Sequence, residues 1–234
     1  MALSLAQRHQ RRTLAALEAA KAEPATTMAG ATNYELHLAA LTEDRLRLKQ
    51  VQSNEGKAEL KRQLLPQYVP YVEGVLAAGQ GAQDEVMTTL MVWRIDVGDF
   101  AGALDIADYV LKHKMIMPDR FDRTTGCLVA EEVATAALSA QKASGTFDLD
   151  VLTRTALLTE TEDMPDQARA KLILALGRAT LAGITAEQPG QPGQLQAGID
   201  LLKRAIQLHG ACGGRKELES AERLLKKHAA PPAS

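Results

Sequence analysis

The residues of this chain that could do chemistry are two groups of carboxylates and a scatter of cations. Pro118-Asp119, followed by Glu131-Glu132, has the opening of a metal-dependent nuclease pattern, in which carboxylates hold a divalent cation. That pattern continues with Glu-x-Lys, whereas Val133 and Ala134 follow here. The plainer reading is a loop acid and a helix's first turn, where carboxylates complement the macrodipole. Glu160, Glu162, Asp163 and Asp166 could also gather around a metal. Asp163-Met164-Pro165-Asp166, however, places proline at a first helical position and reads as a helix start. His9, His37, His113, His209 and His228 are dispersed, without metal-ligand spacing. Cys127 and Cys212 form neither a disulfide framework nor a zinc motif, and a reducing compartment fits. GxxxxGK[ST] is absent, so no ATP hydrolysis is expected. The residues thus predict no catalytic group, no cofactor and no metal site.

The cations point to a different chemistry. Arg8, Arg11 and Arg12 share one short helix. Arg45, Arg47 and Lys49 lie on the polar side of a second, and Lys57, Lys61 and Arg62 on a third. From Glu43 to Arg62, six basic residues stand against four acidic ones, a mildly positive sector. Such a run is ordinarily a solvated face. As a nucleic-acid contact it would supply a few phosphate neutralisations per chain, and counterion release would sum them over the copies of an oligomer. A net charge of −2 provides no global basic field, so any DNA contact must be local.

The elements that must position these residues are helical. The 46% hydrophobic content is dominated by alanine and leucine, and only 3% of residues are aromatic, which predicts an all-α fold. The first helix is expected from the N-cap Ser4 to about Lys21. Its thin apolar face (Leu5, Leu14, Leu17) implies that it is mobile or docks on a partner. A linker over 24–31 and a Thr32-x-x-Glu35 capping box introduce the second helix, to about Val51. A turn at Ser53–Gly56 completes an αα-hairpin. Further helices are expected near 67–78, 82–97, 100–113, 128–144, 148–160, 166–182, 194–208 and 214–228. The only tryptophan, Trp93, shares an apolar helix face with Val86, Leu90 and Val97 and reads as core, not as a ligand pocket. Gly98-Asp99-Phe100 breaks that helix.

The order Gly98, Phe100, Ala103, Ala107 resembles the second helix of a tetratricopeptide repeat, and Gly177, Gly198, Leu202 and Ala205 echo it around a Pro-Gly insertion. Small residues there let helices approach closely. The expected architecture is an N-terminal helical hairpin region followed by a helical body with tetratricopeptide-like pairs. Its parts are an N-terminal DNA-binding region (1–63), a central oligomerisation domain (64–162), a C-terminal region (163–228) and a disordered tail (229–234). No secretory leader or membrane span is expected.

Beyond these patterns, the chain resembles the GpM-like small terminase subunits of peduovirus-type temperate tailed phages. The resemblance rests on Ala6-Gln-Arg-His9, Leu64-Leu-Pro66, Gly79-x-Gly-Ala-Gln-Asp84 and, above all, Met91-x-Trp-Arg-x-Asp96-x-Gly-Asp99. Ala101-Gly-Ala-Leu104, Met117-Pro118, Glu131-Glu-Val-Ala134, Asp163-Met-Pro-Asp166 and Arg169-Ala-Lys-Leu172 extend it. It implies recognition of a cohesive-end packaging site on double-stranded phage DNA, in the host bacterial cytoplasm. It also implies a homo-oligomeric ring and recruitment of a large terminase subunit that holds the ATPase and nuclease. On this reading the chain is not itself an enzyme. The alternatives from the residues are a tetratricopeptide-like adaptor without DNA binding and a metal-dependent endonuclease acting alone.

Overall fold

The computed structural model describes residues 3–23, 27–118 and 123–229. Among them there are eleven α-helices and no strand, the all-α class that the composition predicts. Asp119 of the nuclease-like pair lies outside the described residues, as does the expected tail beyond Ala229, which itself ends the last helix.

Contacts divide the chain into two units, Met1–Thr125 and Gly126–Ser234. The division falls inside the expected central domain because the N-terminal helices pack against those that follow them. In the first unit, α1 (Leu5–Lys21) starts at Ser4, whose hydroxyl accepts from the Gln7 amide at 3.2 Å while the Gln7 side chain accepts from the Ser4 amide. It packs along α4 (Val69–Ala78). Ala15 and Ala19 are buried there, and Gly74 permits the approach: a methyl on Gly74 would stand 2.5 Å from the Arg12 carbonyl oxygen. The thin apolar face of α1 is therefore used within the unit, through alanines rather than through its leucines. Leu5 and Leu17 stay exposed.

Helix α2 (Thr32–Gln50) departs from the expected capping box. Ala31, not Thr32, is its N-cap, and no side chain of that residue caps it. Glu35 instead accepts from the Gly30 amide at 3.1 Å, and the Glu18 carboxylate of α1 accepts from the Asn33 amide at 2.9 and 3.0 Å. A tertiary carboxylate thus satisfies an orphan amide of the first turn, while the Glu35 amide, which the capping box assigns to the Thr32 hydroxyl, donates to the Ala31 carbonyl. Helix α3 (Asn54–Leu64) starts earlier than expected: Ser53 is its N-cap, with its hydroxyl accepting from the Gly56 amide, and residues 54–56, expected as part of a turn, form the first helical turn. A 3-10 turn over Leu65–Gln67 leads into α4.

The core of the unit is α5 (Glu85–Asp96), capped by Asp84, with α6 (Phe100–Lys112) folded back on it. Gly98 at φ +81° makes the turn, and Asp99 caps α6 by accepting from the Gly102 amide at 3.1 Å. Trp93 is buried, edge-on to Tyr68, so it belongs to the core as expected.

The second unit contains α7 (Thr125–Lys142, from Gly126 on), α8 (Leu149–Leu158), α9 (Asp166–Leu181), α10 (Gln194–Leu208) and α11 (Arg215–Ala229). Helices α9 and α10 make its tightest pair, with Gly177 against Leu201 and Leu202 and Gly198 against Leu181. These are the small residues that the sequence marks for close approach. Pro165 caps α9 from outside the helix, one position earlier than expected.

Candidate nucleic-acid interface

Of the nine basic residues expected to touch DNA, the fold pairs five with acids. Arg45 donates to Glu85 at 2.7 Å and to Thr89 at 2.8 Å, tying α2 to α5. Lys61 meets Asp96 at 2.5 Å and ties α3 to the other end of α5. Both are largely buried, and their charge is spent inside the unit. Arg47 pairs with Asp44 at 3.1 Å, Arg62 with Glu59, and Arg12 lies 3.9 Å from Glu73. The last two pairs are exposed and weak, so those guanidiniums remain available to another anion. Arg8, Arg11, Lys49 and Lys57 have no ion pair among the described residues. Arg8 and Arg11 are exposed on successive turns of α1, and Lys49 is exposed near the end of α2.

Arg11 also stands at a groove of about 440 Å³ between α1, α2 and the 3-10 turn. Leu14, Leu36 and Ala40 line it with Asn33, His37, Gln67 and Tyr68. Leu14 and Leu36 keep 43% and 65% of their surface, an unusual exposure for leucines beside a cation. His37 lies 2.7 Å from the Asn33 carbonyl through Nδ1, so Nδ1 carries a hydrogen and donates it. Burial, with Arg11 nearby, lowers the His37 pKa; the Asn33 carbonyl opposes this. His37 stacks on Tyr71 at 4.5 Å, which fixes its plane. Its Nε2 and the side-chain Nδ2 of Asn33 are both buried without a hydrogen-bond partner among the described residues.

Behind the groove, Asp44 is buried and saturated, accepting from Tyr68 and Gln67 at 2.7 Å each as well as from Arg47. The sequence reading missed this anchor. Its signal was present: Asp44 recurs with Leu41 and Leu48 at core register, where a carboxylate must find buried donors.

The carboxylates of the nuclease-like and acidic-cluster readings are placed otherwise. Glu131 is buried in the second unit, with Cys127 Sγ at 3.9 Å and Lys171 at 3.5 Å. Around Glu160–Asp166 the ordering group is a cation. Arg169 donates to the carbonyls of Thr159 and Glu162 at 2.7 and 2.6 Å and closes the turn before α9. No set of three or more histidine, cysteine or acidic side chains is grouped to hold a metal among the described residues. Nor is any described helix long and apolar enough to cross a membrane.

No solved structure matches this chain. The family profile described as phage small terminase subunit matches residues 38–167, from the middle of α2 to the start of α9. A protein of Escherichia phage P2 named "Terminase, endonuclease subunit" is 44% identical over 223 residues, covering 95% of this chain and 86% of that protein. The match thus spans both units, and the chain belongs to the phage small terminase subunit family.

Proposed function

We propose that the chain is the DNA-recognising subunit of a phage packaging machine, contacting duplex DNA through its N-terminal helices. The observation that carries this reading, within a family that serves packaging, is the pair Arg8 and Arg11. They are exposed and uncompensated on a helix locked to α4, while Arg45 and Lys61 are consumed by the fold. Arg12, Lys49, Lys57 and Arg62 can add phosphate contacts at the cost of weak surface pairs or none, and the exposed Arg47 can add one while its partner Asp44 keeps Tyr68 and Gln67. Repetition in a homo-oligomeric ring would multiply a small contact per subunit, since counterion release is summed over phosphates. The second unit and α5–α6 then serve assembly and engagement of the large terminase subunit. That subunit supplies ATP hydrolysis and cutting, in the host bacterial cytoplasm. The word endonuclease in the phage P2 relative's name fits membership of the cutting complex. Nothing in the placement of Glu131 or Asp166 favours metal-dependent cleavage by this chain.

The test is binding of the purified chain to duplex carrying its phage's cohesive-end site, against scrambled duplex, over a salt series. Preference for the cognate duplex, weakened in Arg11→Ala/Arg12→Ala, is the expected result. Unchanged binding by that variant would remove α1 from the interface. A second reading, an adaptor that binds protein and no DNA, draws on the exposed leucines Leu14 and Leu36 in the groove; it predicts no binding to either duplex.

A further inference from the structure

Helix α11 sorts its charges by face. Glu217 is taken by Arg178 at 2.6 Å and Glu222 by Lys203 at 2.8 Å, both turned toward the rest of the second unit. Leu218, Ala221, Leu224 and Leu225 pack against α10, so the helix is held rigidly. On the outer side, Lys216, Ser220, Arg223 and Lys227 follow one another at helical spacing and are all exposed. Lys216, Arg223 and Lys227 have no ion pair among the described residues, and Lys227 lies near enough to Glu187 to favour its carboxylate. Glu219 is exposed three residues after Lys216 and four before Arg223, so it borders the row on one side.

The helix macrodipole does not account for this arrangement. Lys227 at the C-terminal end complements the macrodipole, but Lys216 stands in the first turn, where a cation opposes it. Nor does the stripe look like a protein-docking face. None of the exposed large apolar side chains among the described residues is on α11, and a protein interface needs an apolar or aromatic anchor. What remains is a rigid row of cations about 16 Å long, with a small hydroxyl residue between them. That is the chemistry of a phosphate backbone.

We propose that the Lys216–Arg223–Lys227 stripe of α11 is a second nucleic-acid contact, which holds the phosphate backbone of duplex DNA without reading bases. It rests on the DNA-binding reading above but needs no packaging site. Its partner is therefore duplex of any sequence. In unit one, four of the nine expected cations are unpaired; this stripe adds three more on a separate unit.

The experiment is a salt series on random-sequence duplex with the full chain, the variant Lys216→Ala/Arg223→Ala/Lys227→Ala, and Glu187→Gln. Alanine preserves the helix, which circular dichroism verifies. The slope of log affinity against log salt should fall in the triple variant by roughly 2 to 3, at about 0.9 per phosphate released. Glu187→Gln should bind more tightly than the parent chain. An unchanged slope in the triple variant overturns the proposal, even if Arg11→Ala/Arg12→Ala still loses binding and upholds the N-terminal interface. A reduced slope without cognate preference upholds the stripe and overturns packaging-site recognition. No binding of the parent chain to random duplex at low salt overturns the stripe. Loss of large-subunit binding with an intact slope also overturns it and assigns the face to a protein partner.

Discussion

The Tyr71 hydroxyl donates to a carboxylate oxygen of Asp84 across 2.6 Å, inside a core where both residues are fully buried. The other Asp84 oxygen accepts from the Met87 amide at 3.0 Å and caps α5. Burial pushes the Asp84 carboxyl up to about 6, and the Tyr71 hydroxyl and the amides of α5 hold it from rising further. A carboxyl whose folded pKa exceeds its unfolded value favours the protonated folded state. Its contribution is therefore greatest below about pH 4 and is lost as pH rises toward 6. The difference across that window is about 2 to 3 kcal/mol. Asp84→Asn should flatten the dependence of unfolding free energy on pH between 4 and 6, measured by denaturant titration followed through Trp93 emission.

Gly74→Leu should detach α1. Its Cβ would press on the Arg12 carbonyl and the Ala16 amide, which are backbone and cannot swing aside. A loss of about 1 to 3 kcal/mol is expected, with fast hydrogen exchange confined to α1. Because Arg8 and Arg11 depend on that docking for their placement, DNA affinity should fall with it.

Arg45→Ala and Arg8→Ala should fail in opposite assays. Removing Arg45 strips Glu85 and Thr89 of their guanidinium and should cost about 1 to 2 kcal/mol of stability, with the salt slope of DNA binding retained. Removing Arg8 should leave the melting temperature unchanged and lower the slope by about 1. The reverse pattern would place Arg45, not Arg8, on the nucleic acid.

Tyr109→Phe should destabilise the first unit by about 1 to 3 kcal/mol, because the buried Gly81 amide donates to the Tyr109 hydroxyl at 2.8 Å and would lose its acceptor. Thermal unfolding by Trp93 emission checks it.

The helices themselves are legible in the sequence because their start signals are local. Ser4, Ser53, Asp84, Asp99 and Asp148 each accept an amide two or three residues ahead, and proximity along the chain suffices to read that. Interactions between distant segments are not legible in this way. Glu18 of α1 accepts from the Asn33 amide at the start of the second helix, and no local pattern announces it. The docking of α1 depends on alanines and a glycine, types that also occur on open helix faces. For the interface, the sequence reveals which residues are cations but not which acids they meet. Arg45 and Arg47, two positions apart, end in different roles because one faces α5 and the other lies beside Asp44. The α11 stripe was open to reading by spacing alone, but its significance depends on Glu217 and Glu222 being turned inward.

The seating of α1 on α4 also sets an order of events during synthesis. Helix α1 leaves the ribosome ahead of α4 with little apolar surface of its own, and its platform emerges roughly sixty residues later. Isolated helices of this length are marginal in water. The arginines of α1 are thus presented on a fixed scaffold only after α4 has been made. A nascent chain cannot offer the completed N-terminal interface to DNA, so translation itself withholds binding until most of the first unit exists.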